Sequence, residues 1–269
     1  MKKSAMPLEP RPPLKWAGGK RWQLPFIRPY WDQHNHCRLV EPFCGGLAVT
    51  LGLLPEHALI NDVNPHLINF YAWLKKGLRP RISMKNDKEL YYAHRKRFNE
   101  LIQSNNSHSR EAASLFYYLN RTGYNGLCRF NNSGTFNVPF GRYKTIPYVD
   151  NFSFYKQIFC QWEITTTDFE SLQLQPTDFV YADPPYDVDF TSYSSNNFAW
   201  DDQIRAAEWL STHPGPVILV NQSTPRIRRL YRRLGFTLQH LKLKAPRRIN
   251  STGDRTPALE VFATRNLQQ

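Results

Sequence analysis

Two consecutive prolines behind an apolar run constrain this chain more than any other feature. Phe179-Val180-Tyr181-Ala182 has the β-branched and aromatic character of a short strand, and it runs straight into Asp183-Pro184-Pro185-Tyr186. A proline has no N–H to give to a ladder and its φ is held at about −65°, so neither strand nor helix continues through the pair. The first proline also biases Asp183 towards an extended backbone. The run therefore stops in a stiff turn at the C-terminal end of a strand, where open α/β sheets place their ligands. The turn presents one carboxylate, backbone carbonyls and one flat ring. That set suits a planar amine, with acceptors for its two hydrogens and a face to stack against. Taken alone, it reads equally as a strand-ending turn with a capping Asp.

Upstream, Leu39 to Phe43 predicts a strand, Cys44-Gly45-Gly46 a tight turn, and Leu47 to Leu51 the opening of a helix. Strand, glycine turn and helix make the first half of a nucleoside-binding βαβ unit, in which glycines let a ligand approach the backbone. The next predicted strand, Ala58-Leu59-Ile60, ends in Asn61-Asp62. Asp62 lies about twenty residues beyond the start of the glycine turn, where such folds put the acid that binds ribose hydroxyls. No phosphate-binding sequence accompanies it, so the nucleoside need not be a dinucleotide. Gly18-Gly19-Lys20 lacks the upstream glycine spacing of a Walker loop and any preceding strand. It reads instead as a backbone turn, with Trp16 as an apolar wall and Lys20 as a cation.

The βα alternation resumes late in the chain. Glu163 to Thr167 predicts a strand with Asp168-Phe169 at its tip, and a Ser/Asn-rich stretch from Asp187 to Trp200 is long enough for a lid. A helix (202–211), the strand Val217 to Val220, a polar turn at Asn221-Gln222-Ser223 and an arginine-rich helix (225–233) follow. An antiparallel pair, 238–243 with 258–263, closes the chain around a basic loop carrying Arg247, Arg248 and Arg255. Between the two halves the composition changes. Residues 71–109 are basic and helix-prone, 111–120 are amphipathic, and 121–144 form the densest polar-aromatic block. Asn132-Ser133-Gly134 is a turn signal there, predicting a β-hairpin with a polar tip, in which Phe130, Phe136 and Phe140 are core rather than base stackers. A two-stranded ribbon fits the major groove of B-DNA, where Arg and Asn pair bidentately with guanine and adenine edges.

A net charge of +13 and a pI near 9.7 point to a polyanionic partner. The four cysteines are scattered without a CxxC pair, which suggests neither a disulfide framework nor a zinc knuckle. Met1-Lys2-Lys3 is followed by prolines rather than an apolar stretch, and no run is long enough to span a membrane, so the expectation is a soluble cytoplasmic protein.

With these pieces in place the chain resembles the Dam-like DNA adenine-N6 methyltransferases over nearly its whole length. The motifs fall in that family's order: KWAGGK (15–20), EPFCGG (41–46), the acid of IND (60–62), the block NRTGYNGLCRFN with FNVPFGRYK, and DPPY (183–186). The central block is specific to the family, whereas DPPY is shared with methyltransferases acting on RNA and on protein glutamine. One departure is Leu47, which stands where the family's glycine turn often has another glycine.

The resemblance implies a Rossmann-like α/β sheet, mostly parallel with one antiparallel strand near the C-terminus. Residues 1–72 and 152–269 would form the catalytic domain, and 73–151 an inserted target-recognition domain with helices and a hairpin. It implies S-adenosyl-L-methionine as methyl donor, double-stranded DNA with a GATC target as substrate, base flipping, and no obligatory protein partner. Asp183, Pro184, Pro185 and Tyr186 would be catalytic, with no metal and no covalent intermediate. Trp16 and Lys20 would contact the methionine end of the cofactor, above Glu41, Phe43, Cys44 and Gly45. Asp62 would hold the ribose, and Asp168 and Phe169 the cofactor adenine. On the DNA, Arg129 would read guanine, Tyr124, Asn125 and Leu127 would intrude beside the flipped base, and Pro139 and Tyr143 would read inner pairs. Asn131, Asn137 and Arg142 would sit on phosphates. Alternatives are an amino-methyltransferase acting on RNA, protein glutamine or cytosine, and a catalytically silent DNA-binding module.

Overall fold

The computed structural model describes residues 10–187, 198–241 and 259–267. Most of the Asp187-to-Trp200 stretch, the basic loop at 247–255 and parts of the closing pair (242, 243 and 258) lie outside the described residues.

Short apolar runs form one sheet. Its strands are β1 (Leu39–Glu41), β2 (Ala58–Asn61), β3 (Trp162–Thr165), β4 (Phe179–Ala182), β5 (Val217–Gln222), β6 (Thr237–His240) and β7 (Glu260–Arg265), in spatial order β3-β2-β1-β4-β5-β7-β6. Every neighbouring pair from β3 to β5 is parallel, and β7 runs antiparallel to both β5 and β6. The Rossmann-like sheet with one antiparallel strand is thus present as expected. Side chains alternate between two apolar layers, as a period of two requires. Leu39, Ile60, Phe179, Tyr181, Ile218 and Phe262 face one core, and Val40, Leu59, Val180, Leu219 and Ala263 face the other.

Helices cover both faces, which is why these parallel strands read as unbroken hydrophobic runs. On the first face lie α1 (Leu24–Gln33), α3 (Pro65–Lys75), α5 (Arg110–Thr122) and α6 (Ser153–Ile158), behind which stands α4 (Lys88–Gln103). On the second lie α7 (Trp200–Ser211) and α8 (Pro225–Arg233). Several starts are set by side chains that accept from free N–H groups of the first turn. Asn64 accepts from His66 N at 3.0 Å ahead of Pro65, Asp87 from Leu90 N at 2.8 Å, and Ser109 from Ala112 N at 3.1 Å. Phe70 stacks on Tyr117 at 5.8 Å and meets Phe152 edge-on, so the core under α3 and α5 is continuous between the sheet and the 73–151 segment. Among the described residues no helix is long and apolar enough to cross a membrane.

Three local expectations are corrected. The helix predicted from Leu47 starts at Thr50, as the single turn α2 (Thr50–Leu53), because Leu47 itself is left-handed with φ 57°. Asn221 and Gln222 are not a turn but the end of β5, since Asn221 is fully buried and its amide is used inside the molecule. The hairpin is reduced to two isolated antiparallel bridges, Phe130 with Phe136 and Gly123 with Phe140. The bridge at Phe136 is flanked by two backbone bonds, Asn131 N to Thr135 O at 3.0 Å and Asn137 N to Arg129 O at 3.2 Å, and the ladder does not run on because Pro139 has no N–H and Asn125 and Gly126 take positive φ. The outward-facing Phe136 carbonyl and N–H are taken by Asn99 of α4, at 3.1 Å and 2.8 Å. The predicted tip turn is present, closed by Asn131 Oδ1, which accepts from the backbone and hydroxyl of both Ser133 and Thr135. Phe136 is core, packed edge-on against Phe98.

Leu47 is completely buried yet held where L-residues are strained by ~1–2 kcal/mol. Replacing it with Ala or Gly removes the same buried side chain, at a cost of ~2–5 kcal/mol, but only Gly relieves the backbone. Urea unfolding should therefore show Leu47→Gly more stable than Leu47→Ala by ~1 kcal/mol. The reverse order would mean that the turn carries no strain.

Candidate active site

The strand order reverses between β1 and β4, and their C-terminal ends emerge side by side, with Leu39 in register with Phe179. A crevice opens at such a switch point because the following connections leave in opposite directions. The glycine turn after β1 and the double-proline turn after β4 both border it.

Asp183 is the centre of this crevice. Its Oδ2 accepts from Lys20 Nζ at 2.7 Å, and the ammonium also donates to the Gly18 carbonyl at 3.1 Å and stands 4.5 Å from the centroid of the Tyr186 ring. Its Oδ1 is buried without a hydrogen-bond partner. Burial pushes the carboxyl up to about 6, against the downward pull of Lys20. The rest of the turn is clamped. Gln203 of α7 donates to the Pro185 carbonyl at 2.6 Å, and Asn221 accepts from Asp187 N at 3.2 Å. The buried Asp187 carboxylate receives Arg226 and the Thr224 hydroxyl at the start of α8. Among the described residues no hydrogen bond reaches the Pro184 carbonyl.

The glycine turn is the second wall. Gly45 donates its N–H to Asp62 Oδ2 at 3.1 Å and accepts from the Tyr71 hydroxyl at 2.6 Å. Trp16 lies against it so tightly that a Cβ on Gly45 or on Gly46 would come within 2.7 Å of the indole side chain. The 15–20 segment is fixed from behind by Asn120, whose side chain bonds both Lys15 N and Lys15 O at 2.8 Å. Cys44 is buried under the turn, its N–H donating to Asn61 O at 2.8 Å. Glu41 is buried below and accepts from the Thr50 hydroxyl and N–H. Desolvation first, then the nearby Asp183 and Asp62, push its carboxyl up to about 8. Burial also raises Asp62, against the two backbone N–H groups it accepts. Phe43 and Phe169 meet at 5.3 Å beyond Asp62's strand, and Asp168 is tied to Arg205 at 3.0 Å. Trp16, Lys20, Glu41, Cys44, Gly45 and Asp62 are thus linked through the glycine turn and Asp183, while Asp168 and Phe169 meet this group through Phe43.

The residues expected on DNA fall in the 123–143 block, and several are engaged within the protein. Arg129 Nε donates to Asn137 Oδ1 at 2.7 Å, so these two hold each other. Asn131 organises the tip turn. Tyr143 packs under Lys15, whose Nζ is 3.5 Å from the ring centroid, and its hydroxyl donates to Gly123 O at 3.3 Å. Tyr124, Asn125, Pro139 and Arg142 are exposed, and Leu127 is half-buried. Phe130 stacks on His66 at 4.8 Å, in keeping with a packing role.

Sequence reasoning missed a buried polar group behind the turn. Tyr186 donates its hydroxyl to Glu260 at 2.5 Å, Gln23 donates to the other Glu260 oxygen at 2.6 Å, and Tyr181 donates to Gln23 at 2.8 Å. Gln203 and Asn221 were missed as well. Only polar residues inside otherwise apolar runs hint at them, and that signal does not name a partner.

Known proteins resemble this chain over most of its length. The family model of D12 class N6 adenine-specific DNA methyltransferases matches residues 16–248. The chain is 38% identical to the retron Ec67 DNA adenine methylase of Escherichia coli over 93% of this chain and 90% of that protein. It is 36% identical to the DNA adenine methylase of Vibrio cholerae (89% and 90% covered) and 33% identical to the type II methyltransferase M.MjaIII of Methanocaldococcus jannaschii (92% and 96% covered).

Glu41 makes the site sensitive to pH in a defined direction. Folding raises its carboxyl from the ordinary 4.5 to about 8, so the folded state holds a proton that the unfolded chain releases. Its contribution to stability is present below pH 4.5 and is lost as pH rises towards 8. Thermal melts from pH 5 to 8.5 should show Glu41→Gln losing less stability over that range than the parent. Parallel curves would show that Glu41 is already ionised when folded.

Proposed function

The chain belongs to the D12 class N6 adenine-specific DNA methyltransferases, and on that premise we propose that it methylates adenine within GATC, flipping the base out of the duplex and using S-adenosyl-L-methionine as donor. The observation that carries the reading is the unfilled hydrogen-bonding capacity at the double-proline turn. Asp183 Oδ1 is buried without a partner beside a Pro184 carbonyl that no described residue bonds, with the Tyr186 ring alongside. Two acceptors next to one ring suit the two hydrogens of adenine's exocyclic amine.

The residues of the crevice fit the donor. Asp62 and Asp183 bring carboxyl groups to the site, and a ligand bearing positive charge suits them. In this reading Trp16, Lys20, Glu41, Phe43, Cys44 and Gly45 form the methionine end, Asp62 holds the ribose hydroxyls, and Asp168 and Phe169 the adenine ring. S-adenosyl-L-methionine supplies, when bound, an electrophilic methyl group on a positively charged sulfur.

The amine is a poor nucleophile because its lone pair is spread into the purine ring. Asp183 Oδ1 and the Pro184 carbonyl, each accepting one hydrogen, favour a pyramidal nitrogen whose lone pair is available. The clamped turn holds both acceptors in place beforehand, so little reorganisation is needed. Lys20 keeps Asp183 ionised in spite of its burial, and its ammonium yields the face of Tyr186 when the base enters. Unstacking the base costs a few kcal/mol, which stacking on Tyr186 partly offsets. Residues 73–151 serve as the target reader, with Arg129 turned from Asn137 to guanine and Asn131, Asn137 and Arg142 near phosphates. Tyr124, Asn125 and Leu127 intrude beside the extruded base, while Pro139 and Tyr143 face inner pairs.

Four measurements test the reading. Sequencing modified bases in DNA from cells expressing the chain should find N6-methyladenine at GATC; methylation confined to another sequence overturns the target. Asp183→Ala should lower methyl transfer by ~100-fold or more, the scale of a lost preorganised hydrogen-bond acceptor, with DNA affinity unchanged in a mobility-shift titration. The parent rate should fall on the acid side as pH drops through about 6, where Asp183 takes a proton. Arg129→Ala should relax discrimination at the guanine by ~1–3 kcal/mol. Identical methylation ratios across first-base variants of the site would remove Arg129 from that role.

A further inference from the structure

The ring of Tyr186 is held at its far end by groups that no motif contains. Glu260, the first residue of β7, is only 5% exposed, and its two carboxylate oxygens are both occupied: Oε1 by the Tyr186 hydroxyl at 2.5 Å and Oε2 by Gln23 Nε2 at 2.6 Å. Gln23 is itself completely buried, and its Oε1 accepts from the Tyr181 hydroxyl at 2.8 Å. Tyr181 lies two residues before Asp183 on β4, and Gln23 lies three residues after Lys20. One chain of hydrogen bonds therefore joins the segment that delivers Lys20, the catalytic strand, the catalytic turn and the last strand of the sheet.

Hydrogen bonds to an ionised acceptor are roughly twice as strong as neutral ones, and a carboxylate whose remaining lone pairs are filled is not free to swing. Anchoring a tyrosine by its hydroxyl fixes where the whole ring stands, because the hydroxyl is the atom furthest from the backbone. Lys20 Nζ stands 4.5 Å from the centroid of that ring, so one face already meets a cation. The carboxylate also leaves more electron density on the phenol, which favours a cation or an electron-poor purine against its face.

We propose that Glu260, backed by Gln23, is a positioning residue for methyl transfer, holding the Tyr186 ring as a fixed wall against which the target purine stacks. This rests on the reading given under Proposed function. Glu260 touches neither the base nor the donor and acts only through the tyrosine hydroxyl.

A double-mutant cycle on the full chain tests it, with a GATC duplex as substrate, S-adenosyl-L-methionine as donor and kcat and KM measured separately. Glu260→Ala and Tyr186→Phe should each lower kcat at least fivefold, with KM for the donor changed less than twofold. The double variant should be no slower than the slower single variant, because each change breaks the same bond. Glu260→Gln keeps an acceptor oxygen at the same reach and should restore kcat to within threefold of the parent. Effects that multiply in the double variant overturn the proposal. If Glu260→Ala does not fold, Tyr186→Phe decides alone, since it removes a single oxygen: a kcat within twofold of the parent overturns the proposal. A parent that transfers no methyl to any duplex overturns the reading and this inference together. A parent that methylates while Tyr186→Phe keeps full rate overturns the inference only.

Discussion

A carboxylate taken out of water must be repaid in hydrogen bonds or charge, and at Asp183 the fold supplies that for one oxygen only. Removing a carboxylate from solvent costs several kcal/mol even after relaxation. Lys20 compensates through Oδ2, and Oδ1 stays open. Much of the molecule serves that arrangement. Lys20 reaches the crevice because Asn120 of α5 pins the 15–20 segment by its backbone, and because the bare Cα atoms of Gly45 and Gly46 let Trp16 lie flat on the turn.

Around this centre the backbone has been made stiff on one side and irregular on the other. The double-proline turn has few degrees of freedom of its own, and Gln203, Asn221, Arg226 and Glu260 take up what remains. Rigidity there suits the proposed role of the turn, which is placement of a reacting amine. The 123–143 block is different. Its backbone is carried by helix side chains such as Asn99 and Tyr91 instead of a continuous ladder, and Arg129 and Asn137 hold one another. Under the proposed reading, in which this block meets DNA, such a surface exchanges internal partners for those of a nucleic acid more readily than a closed sheet does.

How much was legible depended on whether the deciding force was local. The strands could be read because parallel strands covered on both faces are short apolar runs, and the arginine-rich helix over 225–233 because Thr224 and Pro225 set its start and its spacing is helical. The hairpin was over-read. Turn residues at its tip signal a reversal correctly, but the ladder does not run on from it, because Pro139 has no N–H to give and Leu127 N turns to the Tyr124 carbonyl instead. Leu47 was noticed as a departure from the family pattern, yet its left-handed backbone explains why a glycine is common there and why the helix begins late.

The sequence by itself determined where the chain must stop, bend and come bare: β4 ends at Asp183 because proline cannot pair, and the turn at Gly45 opens because glycine has no Cβ. Those are properties of single residues and their neighbours. Only the tertiary structure decided which groups meet there. Lys20 and Asp183 are 163 positions apart and Gln23 and Glu260 are 237 apart. Each pair meets because the sheet places β1 beside β4 and brings β7 back antiparallel against β5, and a buried charge takes the partner that packing leaves within reach.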